Sequence, residues 1–260
     1  MSKFLGLLRV IILPLGWICA LLALATPVWF LVAALGTKWG FFEIGFGLGW
    51  MTRTAGFNLL LACLVAGVLA GLLMLLHRAL GREAFGVVTS PLLALMVAAV
   101  GLGWTWHINE ARAATPYLLD ITSDTQDPPY FTPAFVARRS LQDESLDYAA
   151  KDLAQSQATL YPDLRTASVS RPPDEVFRLA LDYAHEQHWR VGTASESAGM
   201  FEAAAESFWF GLRDDIVVRV REDGTGGSLV DIRSLARRPV HDLGRNARRV
   251  RDFLAAVSAS

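Results

Sequence analysis

Three groups of side chains carry the types and spacing that chemistry would need. Asp120, Asp124 and Asp127 lie in "DITSDTQDPPYF", Asp214 and Asp215 adjoin in "GLRDDIVVRVR", and Arg219, Arg221, Asp231 and Arg233 alternate along "VRVRED" and "VDIRS". The first group suggests a cation loop. Asp120, Thr122 and Asp124 match positions one, three and five of a calcium loop, but Thr125 stands where the sharp turn needs Gly and Phe131 where a bidentate Glu belongs. A helix-loop-helix calcium site is therefore excluded. What remains is a looser cation site or a strap whose carboxylates accept from their own backbone amides. In a strap, Leu118, Ile121, Tyr130 and Phe131 pack onto the domain. Asp214 and Asp215 could split their pKa values as an acid–base pair, but neighbouring strand residues point to opposite faces, so their carboxylates diverge. One of them then caps the turn after "FWFG" while the other faces an arginine.

The alternating group forms the polar face of a hairpin, with Glu202 and Glu206 on a neighbouring strand. Its simplest reading is solvated cross-strand ion pairs, whose loss costs about 0–1 kcal/mol each. A surplus of guanidinium there would instead hold a carboxylate or phosphate two-pronged. His185 and His188 have ligand-like spacing, but no third metal ligand stands nearby, and His241 beside Asp242 suggests a dyad. No nucleophile elbow, phosphate loop or dinucleotide fingerprint appears. No cofactor is expected.

The elements that position these residues follow from where the apolar side chains fall. Of 260 residues, 53% are hydrophobic, and the first 107 carry as charged groups only Lys3, Arg9, Lys38, Glu43, Arg53, Arg78, Arg82 and Glu83. The remaining chain holds 18 basic and 23 acidic residues, an acidic balance that argues against nucleic-acid binding. Cys19 and Cys63 both lie in apolar runs, so the polar part has no thiol.

The apolar part reads as three membrane spans, at about residues 10–36, 57–76 and 87–106, each long enough for a hydrocarbon core about 30 Å thick. Pro14 and Pro27 fall in the first. Gly67 and Gly71 in the second have the spacing that lets helix backbones approach. Between the first two spans, "TKWGFFEIGFGLGWM" alternates apolar and small residues and reads as an extended interfacial segment, with Trp39, Phe42 and Trp50 contacting membrane or a partner. Lys3, Arg9, Arg78 and Arg82 mark the cytoplasmic side, against Lys38, Arg53 and Arg112 opposite. The expected location is the bacterial inner membrane, N-terminus cytoplasmic and C-terminal domain periplasmic.

Residues 1–107 thus form the transmembrane region, 108–140 an irregular proline-broken tether or strap, and 141–260 an extracytoplasmic domain. "LQDESLDYAAKDLAQSQATL" reads as a polar helix and "RTASVS" as a strand. A helix begins near Pro172 and Pro173. "MFEAAAES", "DIVVRVRED" and "SLVDIRSLA" read as strands, the last two a hairpin through "GTGG". A final helix from about Asp242 stacks Leu243, Val250, Leu254 and Val257, with Arg245, Arg248, Arg249 and Arg251 turned mainly outward. This order predicts an α+β domain, an antiparallel sheet with helices on one face, after an all-α three-helix transmembrane region. Phe208, Trp209 and Phe210 are too many rings for a simple turn and point to membrane or partner contact.

In that order, "DITSDTQDPPYF", "LYPDL", "FWFGLRDDIVVRVR", "GGSLVDIRSLAR" and "DLGRNARRVRDFL" resemble the bacterial and plastid family called domain of unknown function 1499, over about residues 117–257. The leader resembles that of its membrane-anchored bacterial members. The resemblance implies an extracytoplasmic domain with no assigned reaction.

Three functions fit. The first is a noncatalytic anchored domain binding an envelope protein partner or an anionic or lipidic ligand, with Arg219, Arg221, Asp231, Arg233, Asp214 and Asp215 as the candidate binding set. The second is an envelope enzyme centred on Asp214, Asp215 and the arginine face. The third is a structural subunit of a membrane complex.

Overall fold

The computed structural model describes residues 2–80, 89–139, Leu146, Tyr148 and 153–259, with side chains from Val10 onward. Arg82, Glu83 and the first part of the expected polar helix fall outside the described residues. The chain divides into two compact units, Met1–Glu110 with Trp209–Gly211, and Ala111–Phe208 with Leu212–Ser260.

In the first unit, α1 (Ser2–Lys38), α2 (Phe57–Ala79) and α3 (Thr89–Ala114) are long and apolar enough to cross a membrane. Their seam is built from small residues. Cys19, Ala23, Cys63, Ala66, Ala70, Ala94 and Ala98 pack together, and the Thr26 hydroxyl lies 3.4 Å from the Cys63 sulfur. Gly67 belongs to this seam, because a Cβ there would meet Leu95 at 2.7 Å. Gly71 does not, since a Cβ there would find open space. The expected pair is thus one close approach. The interfacial segment also differs from expectation. Gly45–Gly56 is a π-type helix that runs into α2, giving one helical stretch Gly45–Ala79. Its apolar alternation arises from aromatic stacking along a wide helix, with Phe46 on Trp50 at 5.3 Å and Phe42 edge-on to Phe46. α3 likewise runs past its predicted end at 106 to Ala114, since nothing breaks a helix before Pro116.

The second unit holds a six-stranded antiparallel sheet: β1 (Asp120–Thr122), β2 (Ala167–Val169), β3 (Arg190–Ser195), β4 (Met200–Glu206), β5 (Arg213–Glu222) and β6 (Ser228–Ala236). The order is β1-β6-β5-β4-β3, and β2 pairs with β6 on the same edge as β1. Among the described residues four helices accompany it: α4 (Pro133–Val136), α5 (Leu153–Leu160), α6 (Pro173–Glu186) and α7 (Arg245–Ala259). The fold is the predicted α+β class. Two strands escaped the sequence reading. β1 lies inside the strap and takes up the free edge of β6, and β3 alternates in burial without a matching apolar alternation.

Even-numbered residues of β5 face α6 and α7. Ile216, Val218 and Val220, with Val230, Ile232 and Phe201, pack against Val176, Phe177 and Ala180 of α6 and Val250, Phe253 and Leu254 of α7. Each large apolar side chain buried there contributes about 1.5–3 kcal/mol. Pro173 opens α6 at its first helical positions, and Asp174 and Glu175 complement the dipole. The helix ends at Glu186, where His188 turns left-handed (φ 55°) and the Trp189 amide returns to the Ala184 carbonyl. His185 and His188 therefore do not share a helix face. α7 begins at Arg245 rather than Asp242, because Asp242 caps it. Its carboxylate accepts the Asn246 and Gly244 amides, and Leu243, expected on the apolar stripe, sits before the helix at φ 57°.

Candidate functional site: arginine–carboxylate clusters on both faces of the sheet

The odd-numbered face of β5 carries the predicted arginine cluster, and it is covered. Residues 120–135 cross it as the strap. Arg233 donates to Asp120 through Nε (2.9 Å) and Nη2 (2.8 Å), is 2% exposed, and lies over the rings of Phe131 and Tyr148. Arg219 donates to Asp231 at 3.0 Å and to the Asp127 carboxylate at 2.9 Å. Asp231, fully buried, also accepts from Arg221 (2.7 Å), Ser123 (3.1 Å) and Thr166 (2.6 Å). Glu202 accepts the amide and hydroxyl of Thr132, whose hydroxyl in turn caps α4. The ion pairs expected in solvent are thus largely internal, because the strap's own carboxylates and Phe131 close over them; the Arg221 side chain remains 39% exposed.

The strap behaves as its residue types require. Asp124 accepts the Gln126 and Asp127 amides, each at 3.0 Å, so its carboxylate satisfies local backbone. Leu118, Ile121 and Phe131 are buried, whereas Tyr130 is 64% exposed and does not pack as expected. Gln157 of α5 clamps the strap by accepting the Thr122 amide. Asp120, Asp124 and Asp127 are each turned to arginine, and no group of three His, Cys, Asp or Glu side chains among the described residues is arranged to hold a metal. Beside this cluster an open groove of about 360 Å³ is lined by Ser123, Asp124, Gln157, Tyr161, Arg165 and Thr166 among others. With Asp231, Asp124 and Asp127 against Arg219 and Arg221, the cluster is acidic on balance. The buried Nε atoms of Arg219 and Arg221 have no hydrogen-bond partner among the described residues.

Asp214 and Asp215 diverge, as strand geometry dictates. Asp214 turns to α7 and accepts from Arg245 (2.7 Å) and Arg249 (2.8 Å), while Asp215 turns to the strap side and accepts from Arg139 and Arg237. Both face arginines, so the expected turn-capping role falls to neither. Glu206, at the end of β4, likewise holds two arginines, Arg190 and Arg213. Arg249 also donates to Ser234 and Asn246. Burial pulls the Arg249 guanidinium below its ordinary value, with the charge of Arg245 adding to the effect. Burial pulls on Arg245 as well, but the hydrogen bond and charge of Asp214 lift it above its ordinary value. One carboxylate is serving two cations.

Arg245 and Arg249 are residues that sequence reading missed. They were placed outward on α7, yet their four-residue spacing puts them on one helix face, opposite a strand that carries an unmatched aspartate. A groove of about 410 Å³ opens between them, Arg248, His188, Trp189 and Glu206, with Asp252 also lining it.

The remaining candidates are structural or exposed. The His241 Nδ1 accepts the Leu243 amide, which leaves Nε2 to donate to the Thr115 carbonyl at 3.2 Å, and the ring stands edge-on to Tyr117. Asp242 is occupied with its cap, so the two form no dyad. Phe208 is 71% and Trp209 51% exposed in the β4–β5 turn, with Phe210 half-buried after them. In the first unit Trp39 and Trp50 are exposed and Phe42 half-buried.

No curated protein matches the chain. The family model described as "Protein of unknown function (DUF1499)" matches residues 120–257, from the first strap aspartate to the last core valine of α7. A match over this span, more than half of the chain and nearly all of the sheet domain, means that the protein belongs to the DUF1499 family.

Proposed function

We propose that the protein is a noncatalytic binding protein of the bacterial inner membrane, with its N-terminus cytoplasmic and its sheet domain periplasmic, and that its ligand is anionic. One observation carries this reading: Asp214 and Glu206 are each shared by two guanidiniums. A carboxylate fixed between two arginines has its oxygens occupied by guanidinium donors rather than turned to a substrate. The same sharing leaves positive charge over at this end of the sheet, whereas the Arg219 and Arg221 cluster is acidic on balance. The anion site therefore belongs at the start of α7 rather than on the strap-covered face. The orientation rests on Lys3, Arg9 and Arg78 flanking the proposed cytoplasmic ends of the spans.

Native mass spectrometry of the detergent-purified full chain tests this. The expected spectrum holds a bound anionic species that is lost in Arg245→Gln. A spectrum of bare chain under conditions that preserve the folded mass distribution would overturn the binding reading.

A further inference from the structure

The strap, the end of α5 and the segment leading into β2 line the groove of about 360 Å³, which is at the lower end of the roughly 300–1,000 Å³ typical of small-molecule sites. All of its lining belongs to the sheet-domain unit. Part of that lining is apolar: Leu164, Pro162 and the half-buried ring of Tyr161, which packs on the core. The rest is polar and locked in place. Ser123 donates to the fully buried Asp231 and accepts the Ile232 amide at 3.0 Å. Thr166 donates to the same Asp231 oxygen at 2.6 Å, so its hydroxyl, with its proton committed, is left as an acceptor. Gln157 is fixed on the strap backbone at Thr122.

Hydrogen-bonding capacity remains in this lining. Arg165 is exposed, and its Nε donates to the Pro162 carbonyl at 3.0 Å. Its two Nη groups have no hydrogen-bond partner among the described residues, and neither do the hydroxyls of Thr125 and Tyr161. Charge decides against an ion. Around the groove, among the described residues, Arg165, Arg219, Arg221 and Arg251 stand against Asp124, Asp127, Asp163, Asp231 and Asp242, which leaves no cation surplus for an anion. The carboxylates are not open to a cation either. Asp231 accepts from Ser123, Thr166, Arg219 and Arg221, and Asp124 accepts from two backbone amides and Arg219. A neutral ligand that donates and accepts at each polar group and also presents an apolar face matches this lining. A sugar ring does both, through its hydroxyls and through the C–H face that packs on an aromatic ring.

We propose that this groove is a binding site for a neutral sugar, with the C–H face of the ring on Tyr161 and its hydroxyls donating to Thr166 and accepting from Arg165 and Thr125. The locked hydroxyls lower the ordering cost of binding. The site is separate from the anion site at the start of α7 and does not depend on it.

Hydrogen–deuterium exchange of the full chain, in a detergent without a sugar head, tests the groove. The probes are glucose with maltotriose and N-acetylglucosamine with triacetylchitotriose, and the contrasts are inorganic phosphate and trialanine. At least one sugar should slow exchange saturably in residues 122–127 and 157–166. Arg165→Ala should weaken the apparent affinity about tenfold, the loss of a hydrogen bond from a charged donor, with exchange in the absence of sugar unchanged. Tyr161→Phe keeps the ring and should weaken it less, about fivefold. A trisaccharide that binds more tightly than its monosaccharide assigns the groove to a glycan chain, and equal binding assigns it to a free sugar; either upholds the class. Protection by phosphate or trialanine alone would overturn the proposal, as would sugar protection that Arg165→Ala leaves intact. If no sugar protects these segments, the sugar site falls and the anion site is untouched.

Discussion

Arg233 and Asp120 meet in a two-pronged ion pair beneath the strap, with Nε on Oδ1 at 2.9 Å and Nη2 on Oδ2 at 2.8 Å, and each residue is at most 2% exposed. Their backbones are two register positions apart on paired strands, Asp120 opposite Leu235 and Thr122 opposite Arg233. The pair fastens β1, and with it the strap, onto β6.

Removing one partner leaves a buried charge uncompensated. Arg233→Ala or Asp120→Ala should therefore lower stability by about 3–5 kcal/mol, and a paired apolar replacement, Asp120→Leu with Arg233→Met, should recover most of the loss. Denaturant titration of the detergent-solubilised chain, followed by tryptophan fluorescence, reads both. A loss below about 1 kcal/mol for the single substitutions would mean the pair is solvated.

The strap predicts an order of sensitivities. Ile121→Asp and Phe131→Asp bury an unpaired charge and should cost several kcal/mol, whereas Asp124→Asn weakens local hydrogen bonds worth about 1 kcal/mol each. Tyr130→Asp, at an exposed ring, should stay within about 0.5 kcal/mol of wild type. Melting with chelator, calcium or magnesium checks the cation alternative. A metal-dependent rise in Tm that Asp124→Asn abolishes would sink the strap account.

Tyr148 gives the domain an alkaline limit. Burial pushes its phenol well above the ordinary value of 10.0, and the Asp120 charge adds to the shift. The folded state then holds a proton that the unfolded state releases. This contribution is fully present below pH 10 and is lost as pH rises above it. Tyr148→Phe should flatten the fall in stability above pH 10, and an unchanged slope would remove Tyr148 as its cause.

In the membrane seam, Gly67 and Gly71 should part company. Gly67→Leu forces a side chain into Leu95 and the Pro91 carbonyl and should destabilise by about 1–3 kcal/mol, whereas Gly71→Leu meets open space. Thermal aggregation of the two variants in one detergent compares them directly.

The sequence carried most of the architecture because it is written in periodicity. The long charge-free runs, the alternation of Ile216, Val218 and Val220, and the proline start of α6 each follow from local chemistry. The sites were less legible because they depend on which distant segment covers a face. Arg219 and Arg233 look like any exposed arginines in a hairpin until a strap whose partners lie 92 and 113 positions earlier covers them. Asp214 and Arg249 lie 35 positions apart and are joined only by the return of α7 to the sheet. The divergence of Asp214 and Asp215 was readable, because it needs nothing beyond the two-residue repeat of a strand.

The proposed function turns above all on which side of the membrane holds the sheet domain. A pair of reporter fusions after Ser260 tests this most directly. Alkaline phosphatase folds to activity outside the cytoplasm and green fluorescent protein, exported unfolded, does not fluoresce there. The proposed topology predicts an active phosphatase fusion and a dark fluorescent one. A dark phosphatase with a bright fluorescent fusion would put the domain in the cytoplasm and contradict the periplasmic binding protein argued above.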